Sequence, residues 1–141
     1  MMHVLLDTNV PLNLLLNGYQ ERPLPVESAL VLDHAAKDII HAYITPVSFH
    51  VVFYFVMKAW GRAHAIKACG DLLDQLRMVG QDESVFRNAL GSGWADVEDA
   101  GQYFAAKADP RITHLCTTNH KHYKASKGIA IVSPAALLKL L

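Results

Sequence analysis

The sequence has little cysteine, no surplus of either charge and no long unbroken apolar run. Its only cysteines, Cys69 and Cys116, form neither a CxxC pair nor the Cys/His spacing that a structural zinc site requires, so both read as reduced thiols of the core. Lys and Arg number 13, as do Asp and Glu, so any phosphate contact has to come from a local patch rather than from the overall field. The most apolar stretch, residues 46–60, is broken by Ser48, His50 and Lys58 and falls short of the roughly 20 apolar residues of a membrane-spanning helix. It reads as a buried or interface helix, and its apolar side chains make it the best candidate for a homodimer contact or for burial within the monomer. The N-terminus opens on a strand-like run instead of the basic and long apolar regions of a secretory signal, which points to a cytoplasmic protein without a membrane partner. Internal repeats, low-complexity tracts and linkers are also missing.

What remains is the composition of a folded chain: 52% of its 141 residues are apolar and 18% charged, which suits a single domain over residues 1–141. Apolar periodicity predicts strands at 4–6, 41–44, 78–80, 112–116 and 129–132. Helices are expected at 9–17, with Gly18 as the stop, and at 26–37 after a loop containing Pro23 and Pro25. Thr45 followed by Pro46 reads as an N-cap with proline at the first helical position, opening a helix through Trp60. The next helix, 62–77, carries Ile66, Cys69, Leu72, Leu73 and Leu76 on its stripe. Further helices are expected at 82–90, from Trp94 to Lys107, and at 134–141.

Short apolar strands alternating with helices imply a mostly parallel sheet covered on both faces, an α/β fold. In such folds ligands collect outside the carboxyl ends of the strands. Asp7 falls there, after Val4, Leu5 and Leu6, and so do Thr117, Thr118 and Asn119 after the fourth strand. The segment GWADVEDAGQYF brings Asp96, Glu98 and Asp99 to the start of a helix. At about 100° per residue Asp96 and Asp99 share a face and Glu98 points elsewhere. Acidic residues in a first turn also stabilise a helix against its dipole, and Asp96 could be its cap. Asp7 could likewise cap the helix that follows it, with Thr8 and Asn9 starting the turn. Carboxylates meeting at the carboxyl edge of a sheet would make an oxygen-rich site suited to Mg²⁺ or Mn²⁺.

Together these segments resemble the PIN-domain family, in particular its small bacterial VapC-like members. VLLDTNVPLNLLL is similar to the opening strand and helix of that family, YITPVSFHVVFYFV to its second strand and third helix, and ADVEDAGQYFAA to its acidic helix. HLCTTNHKHY resembles the strand and turn that close the site, and VSPAALLKLL the usual ending. The resemblance implies a three-layer α/β/α fold and a metal-dependent endoribonuclease that hydrolyses RNA phosphodiester bonds, often as the toxin of a toxin–antitoxin pair. It implies Asp7, Asp96 and Asp99 as catalytic residues, these and Asn119 as metal ligands, and Asn9, Glu98, Thr118 and His122 as supporting residues.

Two positions depart from the family pattern. Val51 stands where the third helix commonly carries Glu, and His122 where many relatives carry Asp. A valine cannot bind a metal, which keeps open a catalytically impaired PIN domain that binds RNA or a protein. A phosphatase with Asp7 as nucleophile is a further alternative. Lys121 and Lys124, with Lys127 beside them and Lys58, Arg62 and Lys67 on the earlier helices, are the residues available to hold RNA phosphates, or else simply a solvated surface.

Overall fold

The computed structural model describes residues 1–17 and 25–141, so Gly18 and Pro23 lie outside the described residues. Five strands, β1 (His3–Leu6), β2 (His41–Ile44), β3 (Arg77–Met78), β4 (His114–Cys116) and β5 (Ala130–Val132), form one sheet ordered β3-β2-β1-β4-β5. Every pairing is parallel. β1 is central: Val4 pairs with Ala42 and His114, and Leu5 with Tyr43 and Leu115. Central parallel strands are buried on both faces, which is why Val4, Leu5 and Leu6 are apolar without alternation and fully buried. Each contributes about 1.5–3 kcal/mol of gross transfer free energy.

Helices cover both faces. Val4 and Leu6 pack into a core shared with α1 (Asn9–Asn17), α2 (Val26–Ala36), α3 (Pro46–Trp60), α4 (Arg62–Gln75) and α7 (Pro134–Lys139). Leu5, Tyr43 and Leu115 face the other way, toward α5 (Glu83–Gly91) and α6 (Val97–Ala108). The result is the three-layer α/β/α arrangement, with the carboxyl ends of β1 and β4 opening toward the starts of α1 and α6.

α3 begins as the Thr45-Pro46 pair dictates: the buried Thr45 hydroxyl accepts the Ser48 N–H, and Pro46 occupies the first turn. Gly61, at φ +93°, lets the chain leave α3 and enter α4 at once, a conformation costly for any residue with a Cβ.

Some boundaries differ from the pattern. Of the expected α4 stripe, Cys69 and Leu72 are buried, as is Leu76 just past the helix end, while Ile66 and Leu73 are exposed and Ala65 takes a core position in the cluster with Val52 and Val56 of α3. The buried face is therefore rotated by part of a turn from the expected one. β3 is Arg77–Met78 rather than 78–80. Ile112 is buried outside β4, its N–H held by the Asp109 carbonyl. α6 starts at Val97 rather than Trp94 because the Asp96 carboxylate caps it. The chain between β4 and β5 contains a 3₁₀ turn, His120–Tyr123, where no helix was expected.

Candidate active site

Asp7 emerges from β1 at the carboxyl edge, its N–H bonded to the Cys116 carbonyl of neighbouring β4 at 2.8 Å. Its side chain is 3% exposed. Oδ1 accepts from Gln102 Nε2 at 2.9 Å and Oδ2 from the Thr117 hydroxyl at 2.7 Å. Two neutral donors from opposite sides fix the plane of the carboxylate and keep its charge tolerable in a buried site. Those bonds replace the expected side-chain cap: α1 starts instead from the Asp7 and Thr8 carbonyls, which accept the N–H groups of Val10 and Leu12.

Asp99 approaches from the first turn of α6 and is 7% exposed. Oδ1 accepts from the Tyr123 hydroxyl at 3.3 Å. Oδ2 is buried and makes no hydrogen bond within the described residues; His122 Nδ1 stands 3.0 Å away, close enough for charge attraction but not aligned to donate. Burial, then the charges of Asp7 and Asp96, push the Asp99 carboxyl up to about 6, against the opposing pull of His122 and Tyr123. Burial, then the charges of Asp7 and Asp99, drive the Tyr123 phenol far above its ordinary value, so it remains a donor. Burial, with Asp7 nearby, also pushes the Cys116 thiol up to about 12, which makes it an inert core group.

Asp7 and Asp99 open on a cleft of about 320 Å³ that is also lined by Thr8, Asn9, Asp96, Glu98 and His122. Leu12, Val51 and Phe55 form its apolar wall. Asp96 Oδ1 accepts the N–H groups of Glu98 and Asp99, so this residue is an N-cap as well as a rim carboxylate. The helical-wheel expectation that Glu98 points away fails for that reason. Asp96 precedes the helix, and all three acidic side chains of the segment reach the cleft. Glu98 accepts the Thr8 hydroxyl at 3.1 Å; Thr8 touches Ser48 Oγ at 2.5 Å, and Ser48 reaches Gln102 Oε1 at 3.3 Å. Two hydroxyl protons thus serve three contacts, linking the exposed rim to the amide that holds Asp7.

Thr118 and Asn119 are exposed and do not line the cleft. The hydroxyl that reaches the site belongs to Thr117, which accepts the Asn119 N–H at 2.9 Å while donating to Asp7. Lys121 and Lys124 lie in and just after the 3₁₀ turn, both exposed. Gln102, Ser48 and Tyr123 had no site role in the pattern, whereas Thr117 was expected at this edge of the sheet and Thr8 in the turn after Asp7. The available signal was Gln102, an amide three residues after Asp99 among Ala100, Tyr103, Ala105 and Ala106, on a stretch that is otherwise apolar and buried. Among the described residues, no three His, Cys, Asp or Glu side chains are already gathered as a metal cage.

No protein-family model matches the chain. No curated protein matches it at a significant level. Among solved structures it is similar to a chain of VapBC2 from Rickettsia felis, crystallised bound to a DNA fragment from its promoter. The TM-score is 0.64 at 17% identity, over 92% of this chain and 97% of that one. Such a likeness speaks for the architecture: an all-parallel five-stranded sheet with helices on both faces, which is a PIN-like fold.

Proposed function

We propose that the protein is an endoribonuclease that hydrolyses RNA phosphodiester bonds with Mg²⁺ or Mn²⁺ held at Asp7 and Asp99. The observation that carries this reading is the Asp99 Oδ2 oxygen, buried and without a hydrogen bond among the described residues, on a carboxyl whose pKa is raised first by burial and then by the charge of Asp7. Among the described residues the one ion-pair contact of these two carboxylates is His122 Nδ1, 3.0 Å from Asp99 Oδ2 and charged only when protonated, which leaves a place for a cation, and Mg²⁺ characteristically uses one or two carboxylates and keeps several waters. The donor set therefore fits such an ion even though, among the described residues, no three-ligand cage is preformed. When bound, the ion would lower the pKa of a water and offset the charge developing on the phosphodiester.

The remaining work falls to this chain. Gln102 and Thr117 hold the Asp7 oxygens in place, Tyr123 orients Asp99, and Asp96 and Glu98 add negative charge at the rim. Val51, Phe55 and Leu12 limit water on one side. Lys121 and Lys124 provide the phosphate contacts. Asn119 would join the ligand set only through rearrangement of its turn. Asp7 as a phosphatase nucleophile is disfavoured, because both of its oxygens are engaged and little of it is exposed.

By analogy with VapBC2, a complex seen on promoter DNA, we read the chain as the toxin of a cytoplasmic toxin–antitoxin pair. Among the described residues no helix is long and apolar enough to cross a membrane. A second copy is the proposed cover for α3, whose Tyr54 and Phe55 are 49% and 44% exposed.

Val51 favours one other reading: it lines the cleft where the family commonly places an acid, as a PIN domain that binds RNA without cutting it would allow. Cleavage of an end-labelled RNA separates the two. Product formation should need Mg²⁺ or Mn²⁺, stop with a chelator, and fall on the order of a hundredfold or more in Asp7→Asn and Asp99→Asn. Chelator-resistant cleavage, or RNA bound and left intact with either metal, contradicts the nuclease assignment.

A further inference from the structure

A second groove, of about 400 Å³, opens beside the acidic cleft between the turn before α6 and the 3₁₀ turn. It shares Asp96 and His122 with the cleft, so the two lie side by side. Its own walls are Trp94, Ala95, Lys121, Lys124 and Ala125.

The indole of Trp94 is held from two sides. Tyr103 stacks on it at 5.0 Å between centroids and 27° between planes, and Tyr123 meets it edge-on at 5.8 Å. Tyr103 is itself fixed, its hydroxyl donating to the Lys127 carbonyl at 2.8 Å and accepting the Lys127 N–H at 3.0 Å. Tyr123 carries the arrangement on to Asp99. Trp94 is thus a rigid aromatic surface mechanically joined to the acidic site. Gly93, at φ +75°, makes the reversal that presents it, and the Ser92 hydroxyl accepts the Trp94 N–H.

The charge of the groove complements that surface. Neither Lys121 nor Lys124 forms an ion pair among the described residues. Two exposed cations in the same groove as a fixed indole, next to the proposed site for a phosphodiester, match the way single-stranded RNA is held: bases stack on aromatic rings while phosphates meet lysines. Duplex RNA offers no free base face to such a surface.

We propose that this groove is a nucleotide subsite, in which an unpaired base of the RNA adjacent to the cleft stacks against Trp94 and its phosphates meet Lys121 and Lys124. The assignment rests on the ribonuclease reading above for its substrate class but not for its test. In a Trp60→Phe background Trp94 is the sole tryptophan. With chelator present, so that nothing is cut, an unlabelled adenosine hexaribonucleotide should quench Trp94 emission saturably. Trp94→Ala should weaken binding of the same RNA, measured by fluorescence anisotropy, by about 5- to 150-fold. Lys121→Ala with Lys124→Ala should make the log affinity against log salt slope shallower by about 1.4. These lysines are exposed, so that variant and the quenching titration stand even if Trp94→Ala does not fold. RNA that binds with Trp94 emission and salt slope unchanged overturns the subsite, and metal-dependent cleavage in the same preparation would show the ribonuclease reading intact. Absence of both binding and cleavage overturns the two together.

Discussion

Asp99 sets stability against the proposed function, because its buried carboxyl has an oxygen without a hydrogen bond among the described residues. Its carboxyl titrates at about 6, raised by burial and by the charges of Asp7 and Asp96, from an unfolded value near 3.9. The folded state therefore holds the Asp99 proton more tightly than the unfolded state. Below about pH 4 the group is protonated in both states and costs nothing. As pH rises toward 6 the folded state loses stability, and above 6 the full cost remains. Allowing for water in the cleft, that cost is about 1–2 kcal/mol. Metal-free Asp99→Asn should thus melt higher than the parent at pH 7 and equal to it at about pH 3, as followed by circular dichroism. Saturating Mn²⁺ should reverse the order at pH 7. A variant that melts lower at pH 7 without metal would show that the buried oxygen is not under electrostatic strain. The place of Asp7 at the carboxyl edge of the sheet was legible because a carboxylate ending an apolar strand is conspicuous, and Thr117 was expected at the same edge. Its bond to Asp7 and that of Gln102 were not legible, because a helix amide and one of two adjacent threonines find their partner only when β1, β4 and α6 come together.

At the scale of elements, the first turn of α6 does two jobs that one substitution can separate. Asp96 caps the helix through Oδ1 and adds charge to the cleft. Asn caps nearly as well as Asp, whereas Ala does not. Asp96→Ala should therefore cost about 1 kcal/mol and lower the melting temperature by a few degrees, while Asp96→Asn should melt like the parent. If both lose RNA cleavage, the charge matters; if only the alanine variant does, the residue acts as a cap alone. The helix that begins with Thr45-Pro46 was readable because capping chemistry is local. The start of α6 was misplaced because Trp94 looks like helix material until its ring is seen stacked on Tyr103. The α4 stripe was misjudged by part of a turn because periodicity cannot weigh small Ala65 against Ile66 when the neighbouring surface is unknown.

Taken whole, the chain is a PIN-like sheet with a neutral overall charge and its polar chemistry concentrated at one edge. The order of short apolar strands and helices was enough to foresee the parallel three-layer fold, since burial on both faces leaves little room for polar alternation. The exposed Tyr54 and Phe55 of α3 lead to an expected solution mass of twice 15.6 kDa by light scattering, falling to one copy in Phe55→Glu. A monomer at all concentrations would leave that face without its proposed cover. The charge balance of the cleft can be probed from both directions by calorimetric titration with Mn²⁺, comparing the parent, the Asp7→Asn/Asp99→Asn double variant and Val51→Glu. Saturable binding to the parent, its loss in the double variant and tighter binding in Val51→Glu are the expected results. No binding to the parent at millimolar Mn²⁺, with RNA still bound, would contradict a metal-dependent nuclease and leave an RNA-binding PIN-like domain.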